Sequence, residues 1–146
     1  MLRDEITITG KLNVVLVDEM GLVKEEHDFD NLVVTTGRNY IVSRMKDATA
    51  TAMTHMAIGT NSTAAALANT ALGAEIDRRT LTSTNVSTNT ITYAATFAAG
   101  QGTGALTEAA LLNASSGGTM LCRTVFPVIN KGASDTLSVS WVVTVA

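Results

Sequence analysis

Hydrophobic and polar residues alternate along the last part of the chain, residues 136–145. Leu137, Val139, Trp141 and Val143 occupy every second position there, and two of the three residues that separate them are serines. A period of two residues is that of a β-strand that buries one of its faces. Residues 90–98 repeat the pattern. We expect the two strands to supply the core residues Ile91, Tyr93, Phe97, Leu137, Val139, Trp141 and Val143.

Shorter apolar runs, separated by turn residues, predict the remaining strands. Residues 11–18 and 22–29 indicate a β-hairpin around a turn at 19–21. The other predicted strands cover residues 32–34, 53–58, 81–86, 105–113 and 119–126. The alanine-rich residues 63–69 fit either a helix or a loop, and residues 74–79 are too short to assign.

One helix is predicted, over residues 37–46. Thr36 precedes it and offers a side-chain oxygen as N-cap, while Ile41 and Met45 lie four positions apart on one face. Strands at this spacing, joined by glycine-rich turns, are typical of a mainly β protein. We expect an antiparallel β-sandwich, jelly-roll-like, with one short α-helix near residues 37–46.

The length of 146 residues suits one domain with a single core. We expect one β-sandwich domain over residues 11–146, preceded by an N-terminal arm over residues 1–10. Arms of this kind often become ordered only when a partner binds. The arm residues that we expect to contact a partner are Leu2, Arg3, Ile6 and Ile8.

Composition narrows the range of partners. Charged residues make up only 16% of the chain and the formal net charge is -3, so no nucleic-acid partner is expected. The chain has neither an apolar run of about 18 residues nor the apolar core of a secretory signal, so we expect no membrane span and synthesis in the cytoplasm. A surface rich in Thr, Ser, Asn and Ala suits contacts between protein copies, although the same residues fill the solvent face of many lone domains.

The residues that carry chemistry are scattered along the chain. His27, Asp28 and Asp30 could bind a metal ion, but neighbouring strand positions point to opposite faces, so we expect no metal site. Cys122 is the only cysteine and is expected in the core. Residues 100–104 join two strands and lack the spacing of a dinucleotide-binding loop. We therefore expect neither a cofactor nor enzymatic activity.

Other polar or special positions receive structural interpretations. Glu108 lies alone in an apolar segment, and we expect it to bond to a loop amide or an arginine. Arg78 and Arg79 are interpreted as a solvated helix end. Pro127 is expected at a strand end or edge, because proline cannot donate to a strand ladder. His55 is interpreted as a strand residue whose ring is hydrogen-bonded.

Several short sequence segments follow one another in a characteristic order between residues 32 and 145. They are THMAIGT at 54–60, TALGAEIDRR at 70–79, TFAAG at 96–100, GALTEAAL at 104–111 and the terminal strand with Trp141. This order resembles small virion proteins of tailed bacteriophages, and its layout is similar to the N-terminal domain of tail-collar fibre proteins. Two features differ. Ala110 and Leu112 stand where such domains often carry glycine and an aromatic residue, and no fibre shaft follows Ala146.

The resemblance implies a structural role in the virion. A chain that is only the packing domain is similar to capsid cement or decoration proteins, which bind the outer shell in many copies and stabilise it. The implied partners are the major capsid protein and other copies of this chain, as a homo-oligomer. The alternatives are a tail-fibre or collar adaptor, with tail or collar proteins as partners, and a carbohydrate-binding β-module.

Overall fold

The computed structural model describes residues 4–47 and 50–146, which form ten strands and one helix. In chain order these are β1 (Ile8–Val17), β2 (Val23–Asp30), β3 (Leu32–Val33), α1 (Thr35–Lys46), β4 (His55–Gly59), β5 (Glu75–Thr80), β6 (Ser83–Ser87), β7 (Thr90–Phe97), β8 (Gly104–Leu112), β9 (Met120–Lys131) and β10 (Thr136–Val145). The alanine-rich segment 63–69 is a loop. No helix in the described ranges is long and apolar enough to cross a membrane.

The strands form two five-stranded sheets that pack face to face. Sheet A has the order β2-β1-β10-β7-β6, and sheet B has the order β3-β9-β8-β4-β5. Neighbouring strands pair antiparallel in both sheets. The hairpins β1–β2, β4–β5, β6–β7 and β8–β9 each stay within one sheet, and the chain crosses between the sheets after β2, β5, β7 and β9. The predicted fold class, a mainly β antiparallel sandwich with one short helix, is confirmed.

The core lies between the sheets and follows the alternation seen in the sequence. β10 is the middle strand of sheet A, and its Trp141 pairs with Leu12 on one side and with Tyr93 on the other. Ile91 is partly buried and packs against the core cluster. The other expected core residues are all buried, namely Tyr93, Phe97, Leu137, Val139, Trp141 and Val143.

The interior strand β8 of sheet B is buried on both faces. It is buried at every position from Leu106 to Leu112. The inner side chains face sheet A, and the outer ones lie under residues 60–74, here called the covering loop. An outer apolar cluster includes Ala57 and Ala110 of the sheet and Leu72 of the covering loop. Strands covered on both faces have nearly continuous apolar sequences, which explains why β8 does not alternate.

The N-terminus of α1 differs from the prediction. The helix begins at Thr35, its N-cap residue is Val34, and no side chain caps it. The hydroxyl of Thr36, predicted as the cap, instead donates to the carbonyl oxygen of Met120 at 3.0 Å. The cap prediction was wrong because this hydroxyl attaches the helix to β9. Tertiary contact, rather than local capping, therefore positions the helix.

The N-terminal segment joins the sandwich earlier than predicted. Ile8 begins β1 and pairs with Val145 of β10. Thr7 exchanges two backbone hydrogen bonds with Ala146, of 2.7 and 2.8 Å. The boundary between an arm over residues 1–10 and the sandwich was therefore wrong, because residues 8–10 are already strand.

One further expectation was wrong, on Arg78 and Arg79, and one holds in part, on Pro127, which lies at a local edge but not at a strand end. Arg78 and Arg79 lie in β5 rather than at a helix end, and they form ion pairs with Glu75 and Asp77 respectively. Pro127 lies inside β9, not at its end, beside a shift in the register against β8. The two-residue β3 does not extend to this position. The missing N–H of Pro127 therefore breaks no ladder hydrogen bond.

Candidate functional site

Of the residues predicted to contact a partner through an arm, the structure describes Ile6 and Ile8. Ile8 lies in β1 and packs against the core, whereas Ile6 is exposed. Leu2 and Arg3 lie outside the described residues, 4–47 and 50–146. Within the described chain, the prediction of a partner contact in this stretch therefore depends on Ile6.

His27 and Asp28 of β2 point to opposite sides of sheet A. His27 pairs with Val14, and its ring stacks on Phe29 with 5.5 Å between the centroids. Asp28 faces the other way and accepts a 3.0 Å hydrogen bond from the side-chain amide of Asn13. In the described parts of the chain, no group of three His, Cys, Asp or Glu side chains could hold a metal ion. The carboxylates of β2 instead give sheet A an acidic edge.

A buried ion pair lies on the outer side of sheet B. Glu108 of β8 and Arg123 of β9 have side chains that are 0% and 3% exposed. The Nη2 and Nε atoms of Arg123 donate to Oε2 of Glu108 at 2.9 and 3.2 Å. Glu108 also accepts hydrogen bonds from the backbone amides of Asn61, Gly73 and Ala74, at 3.2, 3.0 and 2.7 Å. The carboxylate thus bonds to an arginine and to loop amides, as predicted.

This ion pair fastens the covering loop to sheet B. Arg123 also donates to the carbonyl oxygen of Thr63 at 3.1 Å and to the side-chain oxygen of Asn69 at 3.0 Å. Gly59 lies directly below the loop, where a Cβ would collide with the loop backbone and with the Glu108 carboxylate. Only glycine permits this close approach. Because the charges are paired and covered, the arrangement holds a loop in place rather than presenting a reactive group.

A second set of buried charges lies at the turn between β9 and β10. The ammonium group of Lys131 donates to the carbonyl oxygens of Asp135 and Ala98 at 2.7 and 3.0 Å. Burial lowers the pKa of Lys131. The Asp135 carboxylate accepts hydrogen bonds from Lys24 Nζ at 2.8 Å and from the amide of Gly132 at 2.7 Å. Since Lys24 belongs to β2, this contact joins the β1–β2 hairpin to the β9–β10 turn.

The Asp135→Asn variant is expected to be less stable than wild type at neutral pH, with a difference that shrinks in acid. Hydrogen bonds from Lys24 and from the Gly132 amide hold the pKa of Asp135 below its ordinary value of 3.8. A carboxyl group of this kind stabilises the fold above its unfolded-state pKa, and the contribution is lost as the pH falls through the folded-state pKa. Urea unfolding midpoints at pH 7 and between about pH 4 and 2 measure the change.

The control for this prediction is Glu19→Gln, at an exposed carboxylate in the β1–β2 turn. Its unfolding midpoint is expected to follow that of wild type at each pH. An equal difference in unfolding midpoint between wild type and Asp135→Asn at neutral and acid pH would contradict the prediction.

The hydrogen bond to Asp135 also raises the pKa of Lys24. The contribution of Lys24 is therefore complete at neutral pH and is lost only as the pH rises through its folded-state pKa.

An apolar groove opens between α1 and one edge of sheet A. Tyr40 and Ile41 of α1 line one side, and Val86 of β6, Ile91 of β7 and Val145 of β10 line the other, around a volume of about 420 Å³. The strand β6 is the edge strand of sheet A on this side. Every residue of β6 is exposed, and Val86, which pairs with Ile91 on the inner face, is 69% exposed. The lining residues are all uncharged. Open apolar surface of this kind marks a contact site.

The rim of the apolar groove contains a strained residue. Thr88, in the turn between β6 and β7, has a φ of 55°, in the left-handed region that β-branched residues rarely adopt. The next residue, Asn89, accepts a 3.0 Å hydrogen bond from the amide of Val145. Its side-chain amide donates to the carbonyl oxygen of Val145, also at 3.0 Å. The turn is thereby fixed to the end of β10, and the groove keeps its shape.

A second exposed apolar surface is the hairpin tip, residues 18–23, which comprises the turn after β1 and the first residue of β2. Met20 and Leu22 are 81% and 64% exposed there. The turn is tightly closed, because Oδ1 of Asp18 accepts hydrogen bonds from the amides of Met20 and Leu22 at 2.9 and 3.0 Å. Gly21 has a φ of 80°, which favours glycine. The hairpin tip is therefore a rigid projection with apolar side chains.

A polar depression of about 440 Å³ lies on the outer face of sheet A, among β1, β2 and β10. Its lining includes Thr9, Asn13, Asp28, Ser140 and Thr144, and no aromatic side chain. Small-molecule pockets are lined mainly by apolar and aromatic groups with a few polar ones. The carbohydrate-binding alternative stays a prediction.

The role of Arg123 and both apolar surfaces were not predicted from the sequence. Arg123 is the one charged residue in the run 120–126, as Glu108 is in 105–112. Two lone, opposite charges in consecutive apolar strands are a signal for a buried pair. The groove has no comparable signal, because its walls come from segments that are far apart in the sequence.

Comparisons of the chain with protein-family models, with curated proteins and with solved structures found no match. The fold and the surface features therefore define the class of protein on their own. It is a two-sheet antiparallel β-sandwich with one short helix, a closed core, and two exposed apolar surfaces in the form of a groove and a rigid hairpin tip.

Proposed function

We propose that this protein is a non-enzymatic structural protein of a tailed-bacteriophage virion, specifically a capsid cement protein that binds the outer shell in many copies. The observation that carries the proposal is the pair of exposed apolar surfaces on a sandwich whose core is already closed. Such surfaces are typical of interfaces with other macromolecules. The resemblance of residues 54–60 and 104–111 to virion proteins suggests the setting in which these interfaces form.

The positions of the two surfaces suit a protein that acts in many copies. The hairpin tip lies at the Val17 end of β1 and the apolar groove at its Ile8 end, so one molecule can contact two neighbours at once. Contacts that act together hold a shell more firmly than the same contacts acting singly. The proposed partners are the major capsid protein and other copies of this chain, in the virion, after synthesis in the host cytoplasm.

The buried charged residues also favour a structural role. Glu108 and Arg123 hold the covering loop, while Lys131 and Asp135 hold the turns at one end of the sandwich. A general acid or base has to reach the proton that it transfers in a bound substrate. These side chains are covered and already bonded to the backbone, which supports a role in stability instead.

The number of copies in each virion tests the proposal. Quantitative mass spectrometry of virions from the phage that encodes this chain is expected to find on the order of hundreds of copies per particle, as for a protein that repeats with the shell symmetry. A handful of copies would favour the tail-fibre or collar adaptor. Absence from the virion would refute both assignments.

Particles assembled without the chain provide the control for this experiment. They are expected to release DNA at a lower temperature than wild-type particles, because the joints between capsid subunits lack the added contacts. Purified protein added back to these particles is expected to restore the release temperature. Particles that resist heat equally well without the protein would contradict a cement role.

A further inference from the structure

We infer that the hairpin tip of one molecule docks into the apolar groove of a second copy, so that the protein associates head to tail. This inference deepens the proposed function, and it rests on that function in treating the groove as a docking surface. The interface would be heterologous, since it joins two different patches. Heterologous contacts build closed rings or open chains.

The two surfaces match in chemical character. The hairpin tip presents Met20, Leu22 and Val23 to solvent, and the groove presents an uncharged, mostly apolar lining. Both are held in shape before contact, the tip by the Asp18 carboxylate and the groove by the bonds between Asn89 and Val145. Rigid partners lose less conformational entropy when they bind.

Charge complementarity selects the hairpin tip as the occupant of the groove. Residues 18–30, which form the tip and β2, carry six carboxylates and one lysine, a formal charge of -5. The helix α1, which forms one wall of the groove, carries Arg38, Arg44 and Lys46 and no acidic residue. With Asp47 at its C-cap, the formal charge over 35–47 is +2. A tip that enters the groove would bring an acidic strand beside a basic helix.

The hairpin tip cannot reach the groove of its own molecule. In the pairing of β1 with β10, Val17 and Thr136 lie beside the tip, whereas Ile8 and Val145 lie beside the groove. The length of β1, 10 residues, places about 30 Å between them. The two surfaces also belong to opposite edges of sheet A, at β2 and β6. The occupant must therefore come from another copy.

The contact is small, so we expect weak association in solution and stronger association where many copies are held together. Stable protein pairs usually bury more than about 1,000 Å², which a tip with only a few apolar side chains does not supply. We expect a dissociation constant on the order of 10⁻⁴ M for the free protein. High salt is expected to weaken the association further, because it screens the charges around the contact.

Sedimentation velocity of the full chain, over a concentration series up to about 1 mM, tests the inference. The tip variant M20S/L22S and the groove variant Val86→Asp each remove one side of the contact. Because the three residues are exposed, both variants are expected to keep the wild-type melting temperature. Each variant alone is expected to weaken self-association by about tenfold or more.

Val128→Asp is the matched control for the groove variant. Val128 is also an exposed valine on a strand, but it lies on β9 and belongs to neither apolar surface. The substitution introduces the same charge as Val86→Asp. We expect the control variant to associate like wild type.

A mixture of the tip variant and the groove variant gives the sharpest result. The tip variant keeps an intact groove, and the groove variant keeps an intact tip. The mixture is therefore expected to form one-to-one pairs that neither variant forms alone and that do not grow further. A symmetric interface, with the same patch on both molecules, would not be restored by mixing.

Three results would each overturn the inference. They are a wild-type protein that stays monomeric over the whole series, a mixture that does not associate, and a control variant that associates as weakly as Val86→Asp. The proposed function is tested separately, on virions. A self-associating protein that is absent from virions would refute the function alone, and a monomeric protein present in hundreds of copies would refute the inference alone.

Discussion

Replacement of Trp141 by alanine is expected to lower the free energy of unfolding by about 3 to 5 kcal/mol. Trp141 is fully buried in β10, which is hydrogen-bonded to β1 and β7 on its two sides. Removal of the indole loses the free energy of its transfer from water and leaves a cavity that strands fixed on both sides cannot fill. The loss is a large part of the roughly 5 to 15 kcal/mol that keeps a typical domain folded.

Equilibrium unfolding in urea measures this loss, and Trp141→Phe is its matched control. The indole Nε1 has no hydrogen-bond partner within the described residues. Phenylalanine therefore gives up no hydrogen bond and loses only part of the packed volume, at an expected cost of about 1 to 2 kcal/mol. An alanine variant that melts within about 2 °C of wild type would show that this side chain contributes little to the core.

The second large effect is expected from Arg123→Met. The substitution keeps an apolar chain of similar length but leaves the Glu108 carboxylate buried without its cationic partner. Breaking a buried ion pair in this way costs about 3 to 5 kcal/mol, because the remaining charge stays in a medium that solvates it poorly. The covering loop also loses its bonds from Arg123 to Thr63 and Asn69.

The matched control for this prediction is Arg79→Met, the same substitution at an ion pair with Asp77 that is 39% exposed on the arginine side. An exposed pair contributes about 1 kcal/mol or less. Hydrogen exchange adds a local measurement. The amides of Gly73 and Ala74 donate to Glu108. In Arg123→Met, their exchange rates are expected to rise above the wild-type rates by a larger factor than the exchange rates of the β10 amides. Equal stability losses in the two variants would contradict the role assigned to the buried pair.

Local pattern was enough to predict those parts of the fold in which neighbouring residues decide the conformation. The alternation in β7 and β10 located strands and the core, because one face of sheet A is buried and the other is not. The segment 105–113 predicts a strand, and the lone Glu108 within it predicts a bond to an arginine or a loop amide; the structure has both bonds.

Features that depend on distant parts of the chain could not be predicted. The hydroxyl of Thr36 is drawn to Met120, although its position before the helix favours a cap. Arg78 lies in a strand that pairs with β4, and its guanidinium group donates to the distant carbonyl oxygens of Ala114 and Gly117. The apolar groove depends on the exposed position of β6 at the edge of sheet A, which is a property of strand order rather than of composition.

Cys122 gives the molecule a chemical reporter of its own. It is the only cysteine in the chain, and its thiol is free and fully buried. Burial raises the pKa of this thiol, and alkylating reagents attack the thiolate form. Alkylation of Cys122 in the native protein therefore requires a transient opening that separates the two sheets. The alkylation rate would measure how often the sandwich opens. A slower rate in an assembled particle would measure how much the contacts with neighbouring molecules reduce the frequency of opening.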